Sequence, residues 1–146
     1  WSSDVCSSDL LSLVILLMLV ASIVSAQGKV QFFEGTYQEA LEKAKEENKP
    51  VFVDAYAVWC GPCKWMDANT FKNEKVARYF NSNFVNVKLD AEKGNGAQFA
   101  GKYRVTAYPT LFFLNPDGSV IKKVMGAYPP DMFIKEGEAA LKAFKN

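Results

Sequence analysis

Residues 51 to 64 read VFVDAYAVWCGPCK, and this junction constrains the chain more tightly than any other stretch. VFVDAYA, with Asp54 as its one charge, has strand length and the near-continuous apolar character of a strand buried on both faces. Two cysteines follow directly, held two residues apart by Gly61 and Pro62, and KWMDANTFKNEKVARYF beyond them is helical in character. Cys60 is therefore placed where a strand hands over to a helix.

The flanking sequence supplies the remaining elements. Thr36 and Glu39 form a capping box, and Tyr37, Ala40, Leu41 and Ala44 recur at helical spacing, which predicts a first helix ending near Asn48 and stopped by Pro50. The helical sequence after the cysteines is expected to break or kink around residues 69–73. Val85, Val87 and Leu89 alternate with polar residues as a second strand, and Phe99 and Tyr103 mark a short helix after a glycine-rich turn at 94–96. TLFFLN and SVIKKVM flank Pro116-Asp117-Gly118 and predict a hairpin. Phe133, Gly137, Ala140, Leu141 and Phe144 give a last amphipathic helix, with Gly137 expected to cost about 1 kcal/mol there. Alternating helices and strands with a terminal hairpin predict an α/β fold, a central mixed sheet with helices on both faces.

Composition limits what such a fold can do. The 146 residues, 49% of them hydrophobic, suffice for one compact domain with a real core. The net charge of +1 leaves no basic surplus, so nucleic acid is not an expected partner. There is no histidine, which removes His-based triads and imidazole general bases and leaves proton chemistry to Cys, Asp, Glu, Lys or Tyr.

Residues 1–26 differ from the rest. Residues 10–26 read LLSLVILLMLVASIVSA without a charge, an apolar region of a secretory signal (10–24) with small residues at Val24-Ser25-Ala26 that place cleavage before Gln27. The alternative is an uncleaved membrane anchor over 10–26, since about 17 uncharged residues reach the lower limit for spanning a bilayer. WSSDVCSSDL at 1–10 resembles the translated read-through of a sequencing adaptor, which gives Cys6 no role. Residues 27–146 then form one domain, exported to a periplasmic or other extracytoplasmic space, and its two cysteines both lie in the one motif. A bridge between them closes too short a loop to act as a structural staple.

A dithiol of this kind is catalytic when one sulfur is exposed and anionic at neutral pH and the second can reach it. Cys60, ahead of a helix, meets the first demand because unsatisfied N–H groups and the helix dipole favour its thiolate. Cys63, one turn on, meets the second. Pro62 suits a first helical turn, where its missing donor costs nothing, and Gly61 leaves the approach to sulfur open. A zinc site would need four Cys or His ligands, which the chain does not supply, and copper bound by Cys60 and Cys63 lacks a Met-rich or second Cys cluster nearby. No metal and no cofactor is expected.

VDAYAVWCGPCK resembles the active-site segment of the thioredoxin family, and AYPT at 107–110 resembles that family's cis-proline loop. The resemblance covers residues 30–144, and TFKNEKVARYF is further similar to exported thioredoxin-like proteins and to the C-terminal domain of the electron transporter DsbD. It implies that Cys60 attacks a substrate disulfide and that Cys63 resolves the mixed disulfide. It matches Asp54 to the buried acid that assists deprotonation of the resolving cysteine, and Lys88 to the lysine paired with that acid. The desolvation of a carboxylate in an apolar strand agrees, since it raises the pKa toward neutrality. Pro109 is expected to be cis, aligning the Tyr108 backbone to pair with an extended substrate peptide. Tyr108 departs from the smaller aliphatic residue common there. NPDGSVIKKVMGAY matches the family's hairpin and the glycine after it, so Gly126 joins Trp59, Gly61, Pro62, Tyr108 and Pro109 as substrate-binding positions, with Trp59 a flat wall beside the cysteines.

Direction of electron flow is not fixed by fold, because thioredoxin-like proteins include reductants, oxidants and isomerases. Gly61-Pro62 and the absence of a histidine beside Cys60 favour a reductant. Export removes it from cytosolic reductases, so a reductant there needs a membrane electron donor of the DsbD or CcdA kind. The expected activity is thiol:disulfide oxidoreduction on protein disulfides by a monomer. The alternatives are an oxidase or isomerase, a non-catalytic binding or chaperone module, and a copper-handling protein.

Overall fold

The computed structural model describes residues 28–144. The adaptor-like start, the apolar region at 10–24, the cleavage point before Gln27, the anchor alternative and Cys6 lie outside the described residues. Along the described chain come α1 (Tyr37–Glu47), β1 (Val51–Tyr56), α2 (Gly61–Asn69), α3 (Glu74–Asn83), β2 (Val85–Asp90), α4 (Gly94–Lys102), β3 (Thr110–Leu114), β4 (Val120–Met125) and α5 (Pro130–Phe144). The four strands form one mixed sheet in the order β2-β1-β3-β4. β2 runs parallel to β1, and β3 is antiparallel to both β1 and β4.

β1 reads as an uninterrupted apolar run because it is central and covered on both sides. Its side chains alternate between faces. Val51, Val53 and Ala55 join Tyr37, Ala40 and Ala44 of α1 and Phe99 of α4 in one core. Phe52 enters a second core with Met66 of α2, Phe80 of α3 and Phe133 of α5, so helices cover both faces. The second core is built on rings: Phe80 stacks on Phe133 with centroids 4.1 Å apart and planes 6° apart, and Phe52 meets each of them edge-on at 5.2 Å.

Two local expectations change. The glycines at 94–96 do not form a turn ahead of a helix; they open α4 itself, and a Cβ on Gly96 would collide with the Asp90 backbone carbonyl. Gly137 is more than a weak point in a helix. A Cβ there would lie 2.9 Å from Phe80 Cζ and 3.1 Å from Tyr79 Cε1, so its bareness lets α5 approach α3. The break between α2 and α3 falls at 70–73, where the Asn73 side chain caps α3 by accepting from the N–H groups of Lys75 and Val76.

One feature left no periodic signal. An extended segment ahead of α1 lies along β2, an edge strand, with Phe33 N–H donating to the Asn86 carbonyl and Val30 N–H to that of Phe71, both at 2.7 Å. The Asn81 side chain clasps it, accepting from Gln31 N–H at 2.9 Å and donating to the Lys29 carbonyl at 3.1 Å. The segment thereby covers part of the β2 edge, taking up the Asn86 carbonyl. No helix among the described residues is long and apolar enough to cross a membrane.

Candidate active site

Cys60 is the N-cap of α2. Its backbone is extended (φ −72°, ψ 111°), its Sγ accepts the Cys63 N–H at 3.1 Å, and Pro62 occupies the first turn, where no donor is missed. The helix thus directs the Cys63 amide, which has no carbonyl within the helix to meet, at the Cys60 sulfur, an arrangement that favours a thiolate. Cys63, one turn on, is joined to Cys60 in a disulfide with Cα atoms 5.3 Å apart. The expected exposure of Cys60 is not found in this disulfide state. Cys60 is 3% exposed and Cys63 1%, because Ala57, Tyr56 and Tyr108 pack against the pair. Gly61 and Pro62 are exposed, and nothing lies within 4 Å of where a Gly61 side chain would begin, which leaves that flank of the pair without bulk.

The loop before β3 forms the facing wall. The Tyr108–Pro109 peptide bond is cis, Pro109 is buried, and Thr110 Oγ1 donates to the Ala107 carbonyl at 2.6 Å. Gly126, at φ +95° just beyond β4, donates its N–H to the Pro109 carbonyl at 2.9 Å. Tyr108 is half-buried between the cysteines and Trp59, whose ring it meets edge-on at 5.7 Å. Trp59 is 65% exposed, and its Nε1–H donates to the Glu92 carboxylate at 3.0 and 3.2 Å.

Asp54 projects from the face of β1 that carries Phe52 and is 1% exposed. Lys88 is its register partner on β2, with Nζ 3.4 Å from Asp54 Oδ2, and neither Asp54 oxygen has a hydrogen-bond partner among the described residues. Burial pushes the Asp54 carboxyl up to about 6, with Lys88 opposing and the charge of Asp67 adding to the rise. Lys88 is also paired with Asp67 of α2 and lies 4.7 Å over the Tyr56 ring. The expected Asp54–Lys88 pair is therefore one half of a shared arrangement.

Three residues of this surround escaped the sequence reading. Asp67 had a usable signal, since it lies four residues past Cys63 on one helix face. Tyr56 and Glu92 had none, because Tyr56 depends on the placing of Lys88 and the cysteine pair around the end of β1, and Glu92 on where the β2–α4 connection meets Trp59. Among the described residues no cluster of three or more His, Cys, Asp or Glu side chains is placed to hold a metal.

With this geometry in hand, the chain matches the thioredoxin-like family over residues 33–116. It is 35% identical to the chloroplastic thioredoxin Y of Oryza sativa subsp. japonica over 82% of its own length, spanning 65% of that protein. Among solved structures, a candidate disulphide-isomerase from Bacteroides thetaiotaomicron superposes with a TM-score of 0.70 at 41% identity, covering 81% of this chain and 98% of that one. The oxidised DsbD C-terminal domain of Neisseria meningitidis gives 0.61 at 28% identity, covering 74% and 97%. By sequence and by fold alike, the chain belongs to the thioredoxin-like family.

Proposed function

We propose that this chain is an extracytoplasmic thiol:disulfide oxidoreductase that reduces protein disulfides. The observation that carries the reading is the placement of Cys60 at the N-cap of α2, one turn from Cys63 and walled by the cis Tyr108–Pro109 loop. In the dithiol form the Cys60 thiolate attacks a substrate disulfide, forming a mixed disulfide and releasing one substrate thiolate, which takes a proton. Cys63 gives its proton to Asp54 and attacks Cys60 Sγ. The Cys60–Cys63 bond forms as the bond to substrate breaks, and the electron pair leaves on the second substrate sulfur. The substrate gains two electrons and the protein ends as the disulfide.

Gly61-Pro62 and the lack of histidine support the reducing direction, and the uncharged stretch at 10–24 supports export. The likeness to the Neisseria meningitidis DsbD domain supports a membrane electron donor of that class. The likeness to the Bacteroides thetaiotaomicron candidate disulphide-isomerase favours one other reading, isomerisation.

The test is the reduction potential of the Cys60–Cys63 couple in the full chain, equilibrated against glutathione or dithiothreitol with Trp59 emission as reporter, together with insulin reduction by wild type and Cys60→Ser. A potential well below the glutathione poise and loss of turnover in the variant are expected. A potential well above that poise would reverse the direction, and undiminished activity of Cys60→Ser would overturn the catalytic assignment.

A further inference from the structure

One cation serves two carboxylates, Asp54 of β1 and Asp67 of α2. Lys88 Nζ is 3.4 Å from Asp54 Oδ2 and pairs with Asp67, and among the described residues these are its two ion-pair partners. The two acids differ in surroundings. The Asp54 side chain is 1% exposed, that of Lys88 20% and that of Asp67 43%, so the series runs from the core outward to water. Its outer end opens on a cavity of about 590 Å³ between the N-terminal segment and α2. The other charged groups facing it are Lys29 and Glu34 from that segment and Lys72 after α2, while the Tyr56 ring lies under Lys88 and the cysteine pair lies beyond it.

A buried carboxylate with an ammonium to itself is held in its charged form and is a poor proton acceptor. Here the ammonium is not Asp54's alone, since Lys88 also pairs with Asp67, whose negative charge adds to the rise of the Asp54 carboxyl. Asp67 and Cys63 stand four residues apart on α2.

We propose that Asp67 is a positioning residue for the resolving step: by competing for Lys88, it keeps Asp54 free to take the Cys63 proton as Cys63 displaces the substrate from Cys60. The inference rests on the reading of Asp54 as that proton acceptor. Atoms and electrons balance as in the resolving step above. The Cys63 proton goes to Asp54, the Cys60–Cys63 bond forms, and the electron pair of the broken bond leaves on the substrate sulfur. Asp67 touches none of the reacting atoms and acts through Lys88.

The experiment is a single turnover of the reduced full chain carrying Cys6→Ser with 5,5′-dithiobis(2-nitrobenzoate), following release of the second thionitrobenzoate, the resolving phase, against pH. A carbon-13 titration of the Asp54 carboxyl in the same reduced proteins reads the group without turnover. Asp67→Asn is expected to move the acid limb of the resolving phase and the Asp54 titration down by about one pH unit. Lys88→Gln is expected to move both upward, and Asp67→Glu to restore the wild-type profile. A profile for Asp67→Asn that stays in place or moves upward, while Asp54→Asn removes the limb, overturns the role of Asp67 and leaves Asp54 as acceptor. A limb that survives in Asp54→Asn overturns the acceptor reading and the Asp67 inference with it.

Discussion

Gly126 donates its backbone N–H to the Pro109 carbonyl, which fastens the wall of the cysteine site to the end of β4. Its φ of +95° is one that a residue with a Cβ adopts only under strain, although no neighbour stands within 4 Å of that Cβ. The cost of a side chain there is therefore conformational. Gly126→Ala should lower stability by about 1–3 kcal/mol, read from its urea midpoint. It should also reduce kcat/KM for insulin, because relieving the strain displaces the Pro109 carbonyl. An unchanged midpoint together with unchanged turnover would count against the clasp.

Asp54 makes the fold pH-dependent. Its carboxyl stands at about 6 in the folded protein against an ordinary 3.8, raised by burial. Below the ordinary value both states are protonated and nothing is lost. As pH rises through that interval the unfolded chain ionises first, so stability falls and levels off above the folded value. Asp54→Asn should therefore stabilise the protein by up to about 3 kcal/mol at pH 8 and by little at pH 3. Chemical denaturation at the two pH values checks the sign, and a gain that is equal at both would show that the carboxylate is not the source.

Much of this arrangement was legible in the sequence, for identifiable reasons. VFVDAYA announced a strand buried on both faces because such burial removes the usual alternation, and the break expected around 69–73 is found at 70–73, though the Asn73 cap that makes it was not read from the sequence. Gly137 was visible as a helix weakness, yet its reason is a Phe80 ring supplied by another helix, and helical periodicity carries no such information. Cys60 was expected to be open, but the bulk of Tyr108 is turned toward it by the fold. The sharing of Lys88 needed the register of β1 on β2 and the placement of α2 together.

Gly137→Ala tests that lesson. Helix propensity alone favours alanine by about 1 kcal/mol. Contact with Phe80 and Tyr79 opposes it, and overpacking of this kind costs about 1–3 kcal/mol. The expected result is a net loss, seen as a lower thermal midpoint with an unchanged redox potential. A rise in the midpoint would mean that α5 shifts away from α3 without cost.

Glu92 holds the exposed indole of Trp59 at the rim of the site. Glu92→Ala should leave stability within about 0.5 kcal/mol, as expected for a surface change. With the indole released, KM for a protein disulfide should rise about threefold, the worth of roughly 0.6 kcal/mol of lost hydrogen bonding, while kcat holds. Equal kinetics for variant and wild type would reduce this contact to surface decoration.

The strand register gives the molecule two poles. Ala55 opposite Thr110 marks the end of the sheet that bears the cysteines and the cis-proline loop, and Val51 opposite Leu114 marks the other, where the hairpin connection at 115–119 lies. Four residue steps of extended chain separate the two pairs by about 13 Å. A fluorescent peptide or an affinity handle spliced into that connection would thus ride on the side of the protein remote from any docked disulfide, and the chain can be immobilised there with its chemistry facing outward.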